Sequence, residues 1–386
     1  MTQAQLYQKA DSILALSGDL GDHESVLARV KALAGRLDTL GLDSHRRAVI
    51  AEACADLMAP EAAEVERPLF RLRPHVVAEI SRLGDEYLPR YLFYRYRYEI
   101  YPATRQLDKF PPCVQIEPTS MCNYRCVFCY QIDRNLTQGR HGHMGMMSVD
   151  LFKRVVDQIE GEVEAVTLAS RGEPLMAKGI KDMLAYCEGK FLGLKINTNA
   201  SKLTEELSHA VLSAEPSMVV FSADAADADL YARLRVNGQL DQVLENIRRF
   251  QRIRAEHYPK ARTITRVSGV RAGDDGQKFS DIEAFWKEHV DQVAFVDNVQ
   301  WIDPYKNPGN DITAPCSDLW RRMFVWWDGR TNPCDVDYLS TLSPGKLGEG
   351  GVSGIWAGEG YSRLRAQHET PGGRARIKPC SGCTLV

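Results

Sequence analysis

No apolar run in this sequence approaches the ~20 residues that span a bilayer, and the opening "MTQAQLYQKA" lacks the basic segment and apolar stretch of a secretory signal. Charge of one sign is also missing. The 48 Lys and Arg nearly balance 51 Asp and Glu, for a net charge of -3, so no general basic field exists to draw nucleic acid. There is no low-complexity segment either. These absences predict a cytoplasmic protein with neither membrane nor nucleic acid as partner. With 386 residues, 44% hydrophobic and 26% charged, the chain is long enough for a full-sized core and for two or three domains. What it has in number is cysteine, ten in all. In a reducing compartment, clustered cysteines point to metal or redox chemistry rather than disulfides.

Three regions follow from the apolar patterning. Residues 1–108 read as helical: in "HESVLARVKALAGRL", Val26, Leu27, Val30, Leu33 and Leu37 recur at helical intervals, and no strand-like alternation is expected before about Pro111. From there, short β-rich runs alternate with amphipathic helices, as in stacked βα units on a parallel sheet. Six units are countable, with strands near residues 113–117, 165–170, 194–199, 218–223, 263–268 and 292–297. Six are too few for a closed eight-stranded barrel, so the predicted fold is α/β with an open, partial (β/α)6 barrel over residues 109–304. "DPYKNPGNDITAP" (303–315) reads as a linker. Residues 305–386 then form a small domain holding four of the cysteines.

"MCNYRCVFCY" sets Cys122, Cys126 and Cys129 in C-x-x-x-C-x-x-C just after the first predicted strand. Three thiolates on a tight loop can hold three irons of a 4Fe-4S cluster and leave the fourth open to a small chelating ligand. A zinc loop is the competing reading, but zinc calls for a fourth ligand at a familiar spacing. The motif, with aromatic Phe128 before the last cysteine, resembles that of the radical S-adenosylmethionine enzymes. The resemblance implies that the open iron binds the amino and carboxylate groups of S-adenosylmethionine. One-electron reduction then releases a 5′-deoxyadenosyl radical that abstracts hydrogen from substrate.

A second signature of that family, GGEP, appears as "SRGEPL": Gly172, Glu173 and Pro174 match, and Arg171 replaces the first glycine. By the resemblance, Glu173 accepts a hydrogen bond from the methionine ammonium and Gly172 permits close backbone approach to the cofactor. Tyr130, Asn199, Ser222 and Asp224 fall where the family places further cofactor contacts. Arg235 is the candidate for the methionine carboxylate, with Arg266 as competitor. Asn, Ser and Asp after strands also serve as turn and cap residues.

Cys316, Gly329 and Cys334 make C-x12-G-x4-C, and Cys380 and Cys383 a later C-x-x-C. A thioredoxin-like pair expects a βαβ context and a zinc ribbon expects two close pairs; neither is present. The pattern resembles the SPASM and twitch extensions of radical S-adenosylmethionine enzymes, with "WWDGRTNPC" as a β-hairpin. Four cysteines suit one fully ligated auxiliary 4Fe-4S cluster, in an electron-relay or structural role.

Of the remaining features, the strip "RYLFYRYRYEIYP" (90–102) is expected to pack helices onto the barrel, with a grip on a phosphate-bearing or glycosidic substrate as its alternative, and "GRHGHMGMM" (139–147) to be a mobile loop rather than a metal site. Cys54 and Cys187 are expected to be small buried apolar residues. Cys113 is the candidate hydrogen-atom donor if the reaction is an epimerisation. The resemblance implies an oxidoreductase acting on a sugar or aminocyclitol-like small molecule, with an electron donor such as flavodoxin or ferredoxin. Its alternatives are an epimerase, a peptide-modifying enzyme, or a zinc- or cluster-bearing interaction protein.

Overall fold

In the computed structural model, which describes residues 17–18, 21–60, 66–272, 276–297, 303–348 and 350–386, the runs Ala165–Leu168 and Gly193–Thr198 alternate in burial as the pleat requires, while Cys113–Ile116 and Met218–Ser222 are buried almost throughout. Gly193–Thr198 reads half-buried, buried, and so on along its six residues, so one side packs under helices while the other faces an internal space. The six barrel strands are Cys113–Ile116, Ala165–Leu168, Gly193–Thr198, Met218–Ser222, Ile264–Arg271 and Gln292–Asp297. Each pairs in parallel with the next in sequence, for example through Cys113 with Ala165, Ala165 with Gly193, Lys195 with Met218 and Arg266 with Gln292. This is the open barrel. Three of its crossover helices begin where short polar side chains cap them: Ser148 accepts from Leu151 N, Thr204 from Leu207 N and Asp227 from Leu230 N. Their apolar faces, including Phe152, Val156, Met183, Val243, Ile247 and Trp286, form the main core against the outer side of the sheet.

The sheet extends past both expected barrel edges. Arg322–Val325 pairs in parallel with Cys113–Ile116, with Arg322 opposite Cys113. Arg330–Asn332 and Gly345–Lys346 follow antiparallel, completing the expected hairpin around a turn at Trp326–Gly329, where Gly329 takes a φ of 82°. At the other edge Ser17–Gly18 pairs antiparallel with the sixth strand. The region before residue 108 therefore contributes a short strand as well as helices. The C-terminal domain also shares the barrel's sheet rather than standing apart from it.

The four N-terminal helices His23–Ala34, Ser44–Met58, Pro74–Ser81 and Leu88–Thr104 enclose a second core that includes Val30, Ile50, Cys54, Phe70 and Tyr96. Leu88–Thr104, which carries the aromatic and arginine strip, lies against the N-terminal end of the barrel strands. Arg90 binds both Glu164 oxygens at 2.7 and 2.8 Å, and Arg321 donates to Tyr98 O at 3.3 Å. Among the described residues, no helix is long and apolar enough to cross a membrane.

Candidate active site

The first strand ends at Ile116, and the loop beyond it is held from several sides. Thr119 Oγ1 donates to Gly145 O at 2.8 Å while accepting from Met121 N, and Gly145 N donates to Ser120 Oγ at 2.8 Å. Trp327 Nε1 donates to His143 O. The histidine-containing loop expected to be mobile is thus tied to the cysteine loop and to the hairpin. Cys122, Cys126 and Cys129 follow on this braced loop. Arg125–Cys126 forms a short antiparallel ladder with Arg235–Val236, which sets Arg235 directly opposite Cys126.

That ladder aims the Arg235 guanidinium, with Nη1 3.9 Å from Cys126 Sγ and Nε 2.5 Å from Asp224 Oδ2. Asp224 also accepts from Val270 N at 2.6 Å, so it holds Arg235 in place, while Arg235 is the member of the pair that lines the cavity. Cys122 Sγ accepts from Tyr124 N at 3.4 Å and stands 3.9 Å from Asn199 Nδ2. Burial raises all three thiols, Cys122 to about 11 and Cys129 to about 12. A strong Lewis acid is therefore needed to ionise them at neutral pH.

At the end of the second strand, "SRGEPL" does three things. A Cβ on Gly172 would lie 2.3 Å from Thr119 O and 2.5 Å from Met121 O, so the close approach this glycine permits is that of the cysteine loop's own backbone. Glu173, buried at 3% exposure, accepts from Thr198 Oγ1 (2.7 Å), Asn199 N (2.7 Å) and Leu175 N (3.1 Å). Pro174 opens the short turn that follows. Burial raises the Glu173 carboxyl, against these three donors. Arg171 points away from the loop, to Glu117 and to the C-terminal hairpin.

These groups converge on one cavity of about 960 Å³. The three thiols, Tyr130 and Gly172 line it with Glu173, Asn199 and Ser222. Tyr130 donates to Ser170 O at 2.9 Å, and its ring stacks on Tyr338 at 5.1 Å. Ser170 and Asn197 also line the cavity, and among the described residues their buried Oγ and Oδ1 atoms have no hydrogen-bond partner. The donor set thus suits a cluster-bound, polar cofactor such as S-adenosylmethionine.

Around the tail, the four late thiols are near enough to act on one another's ionisation: Cys316 feels Cys383, Cys334 feels Cys316 and Cys380, and Cys380 feels Cys316 and Cys383. Buried Arg374 draws this region together, donating to Ala314 O (2.9 Å), Cys383 O (2.7 Å) and Leu385 O (2.7 Å). Asn310 adds Nδ2 to Cys383 O at 2.9 Å. Among the described residues no three or more His, Cys, Asp or Glu side chains converge as they would on a single ion. Thiols alone, three on one loop and four about the tail, are instead the donor set of iron-sulfur clusters.

Cys113 is buried, yet it lines the same cavity from the start of the first strand. Cys54 and Cys187 are buried on helices, at 1% exposure each. Tyr94, Arg95 and Tyr98 of the aromatic strip line the cavity together with Glu99. Sequence reasoning left three features unread: the lumen-facing Lys195, the reach of Arg171, and the Tyr338 stack. Only the second had a local signal, the departure from GGEP.

Comparison with known proteins agrees with this geometry. The model of the radical SAM superfamily matches residues 116–266, and that of the SPASM iron-sulfur cluster-binding domain matches residues 316–384. The chain belongs to the radical SAM superfamily, in the subgroup bearing SPASM or twitch domains, and its cofactors are S-adenosylmethionine and 4Fe-4S clusters.

Among its relatives, the mycofactocin maturase MftC of Mycobacterium tuberculosis H37Rv is 24% identical over 149 residues, 37% of each chain. The dTDP-4-amino-4,6-dideoxy-D-glucose ammonia-lyase of Streptomyces venezuelae is 27% identical over 157 residues, 38% of this chain and 30% of that one. The chain thus spans only about two fifths or less of the curated relatives' length. Streptococcus suis SuiB bound to precursor peptide SuiA shares the fold with a TM-score of 0.55 at 14% identity, over 94% of this chain and 86% of that one. The anSMEcpe structure with AdoMet and a Cp18Cys peptide does so with a TM-score of 0.51 at 13% identity, over 70% and 87%.

Proposed function

We propose that this radical SAM enzyme is an oxidoreductase that dehydrogenates a sugar or aminocyclitol-like small molecule. In this reading Cys122, Cys126 and Cys129 hold the cluster that binds S-adenosylmethionine, and Cys316, Cys334, Cys380 and Cys383 hold one auxiliary 4Fe-4S cluster. When bound, these groups supply a hydrogen-abstracting 5′-deoxyadenosyl radical and an acceptor for the remaining electron. The chain's own residues bind and orient. Glu173 and Arg235 are placed for the ammonium and carboxylate of the methionine moiety, with Asn199, Ser222 and Tyr130 around them and Asp224 fixing Arg235.

The observation that carries the small-molecule reading is the floor of the cavity. Tyr94, Arg95, Tyr98 and Glu99 of helix Leu88–Thr104 line the end of the lumen opposite the cysteine loop. The N-terminal region thus lines one end of the cavity. A chamber of about 960 Å³ is of the size that encloses a cofactor and a small substrate. The ammonia-lyase relative acts on an aminosugar nucleotide by its name. MftC and SuiB, a maturase and a protein solved with a precursor peptide, support peptide modification as the other substrate class. A specific observation also favours epimerisation as a second outcome, namely the Cys113 thiol on the cavity wall.

Deuterated sugars, aminocyclitols and peptides supplied to the reconstituted enzyme separate these readings. Dehydrogenation predicts deuterium in 5′-deoxyadenosine and a product two hydrogens lighter from the sugar class. A product of unchanged composition carrying solvent hydrogen would support the epimerase reading, and transfer from peptides alone would overturn the small-molecule one.

A further inference from the structure

Below the cofactor-binding level, the lumen carries positive charge that the protein neutralises only in part. Lys195, third residue of strand Gly193–Thr198, faces the cavity. Among the described residues it makes no hydrogen bond or ion pair with the protein, while Arg266 and Arg322 repel it from across the same space. Arg266 is buried and directs Nε and Nη2 to the neutral carboxamide of Gln292, at 3.1 and 2.6 Å. Arg322 stands 3.3 Å from Asp318 and bonds the Tyr98 hydroxyl. The nearby carboxylates offset this charge only in part: Glu79 accepts from Tyr91 at 2.7 Å, lies 4.0 Å from Arg95 and also acts on Lys195 and Arg266, and Glu99 pairs with Arg95 and His75 at 2.8 and 2.9 Å.

We propose that Lys195 and Arg266, with Arg322 beside them, form an anion subsite that receives a carboxylate or phosphate group of the substrate. This inference rests on the reading of the cavity as a small-molecule site, and it narrows that class to anionic compounds. Cations gathered on a half-buried cavity wall with too little counter-charge are costly, and a ligand anion reduces the cost on binding. Burial, followed by Arg266 and Arg322, lowers the Lys195 ammonium to about 8, while Arg266 falls to about 10, chiefly by burial. Both remain charged at neutral pH, with Glu79 as a shared counter-charge that a bound anion would supplement.

The placement fits a substrate rather than the methionine carboxylate. Ser222 pairs with Ser268 at the cofactor end, and Val220 with Arg266 two residues lower, a drop of about 7 Å at the rise of a β-strand. A ligand anchored there extends upward toward the cysteine loop and Arg235.

The test is titration of the reconstituted holoenzyme, saturated with S-adenosylmethionine, with inorganic phosphate and with acetate at constant ionic strength, followed by calorimetry and thermal melting. Phosphate or acetate is expected to bind and raise the melting temperature beyond chloride. Lys195→Met and Arg266→Gln should each weaken that binding at least tenfold, and Lys195→Met should melt higher than the wild type in the absence of anion.

Equal binding by wild type and variants, or no stabilisation beyond chloride, would overturn the subsite. So would a lower melting temperature for anion-free Lys195→Met, which would reveal an internal partner. A matching loss of S-adenosylmethionine affinity would assign these cations to the cofactor and also overturn it. No turnover is required, so the result stands apart from whether the dehydrogenase reading holds.

Discussion

Arg171 grips Glu117 through two hydrogen bonds, Nη2 to Oε1 at 2.6 Å and Nε to Oε2 at 2.8 Å, with 2% and 0% of their side-chain surfaces exposed. The same guanidinium donates to Tyr338 O at 3.0 Å and lies over the Trp326 ring at 4.4 Å. One residue thereby joins the ends of the first two barrel strands to the hairpin that precedes Cys334. This gives a physical reason for arginine where the family signature has glycine.

Restoring that glycine should therefore be harmful. Arg171→Gly leaves the Glu117 carboxylate buried without a counter-charge, a loss of about 3–5 kcal/mol for a broken buried pair. Chemical denaturation should show it, and adding Glu117→Gln to the same chain should recover a substantial part of the loss.

Gly172 should tolerate no side chain. In Gly172→Ala the new methyl meets the Thr119 and Met121 carbonyls at 2.3 and 2.5 Å, contacts that only a shift of the cysteine loop relieves. About four irons should be lost from the Cys122, Cys126 and Cys129 site while the tail retains its own, as read by iron analysis after anaerobic reconstitution.

The tail should behave in the opposite way. Cys380→Ala with Cys383→Ala is expected to remove about four of about eight irons and to leave the site on the upstream loop intact. Retention of all the iron would dissociate the C-terminal pair from cluster binding.

Acid should weaken the packing of the N-terminal helices Pro74–Ser81 and Leu88–Thr104 on one another. Burial alone would raise the Glu99 carboxyl, but Arg95 and the His75 hydrogen bond more than offset this and bring it to about 2 from 4.5. A depressed carboxyl contributes stability above its unfolded value and loses it as pH falls toward the folded one. About 3 kcal/mol should thus disappear between pH 4.5 and 2. Denaturation midpoints measured across that range should slope downward, and Glu99→Gln should flatten the slope.

How much of this was legible in the sequence depended on distance along the chain. The six barrel strands are readable because each is a short β-rich run set off by turns from the amphipathic helices around it. The cysteine motif is readable because its spacing is contained within eight residues. Arg322–Val325 is obscure by comparison, since its strand character comes from pairing with Cys113–Ile116, some two hundred residues upstream. The same holds for the aromatic strip. Tyr96 packs in the helical core, whereas Tyr94 and Tyr98 reach the cavity, and the side of the helix that meets the barrel is set by Glu164 and Arg321. Lys195 offers no local signal at all, because a lysine on a strand looks solvent-facing until the sheet curls around it.

The most direct test of the central claim is 5′-deoxyadenosine production by the anaerobically reconstituted protein with S-adenosylmethionine, with and without a low-potential reductant. The account predicts nucleoside formation that requires the reductant and is abolished in Cys126→Ala. A fully iron-loaded protein that forms none with reductant present would contradict it.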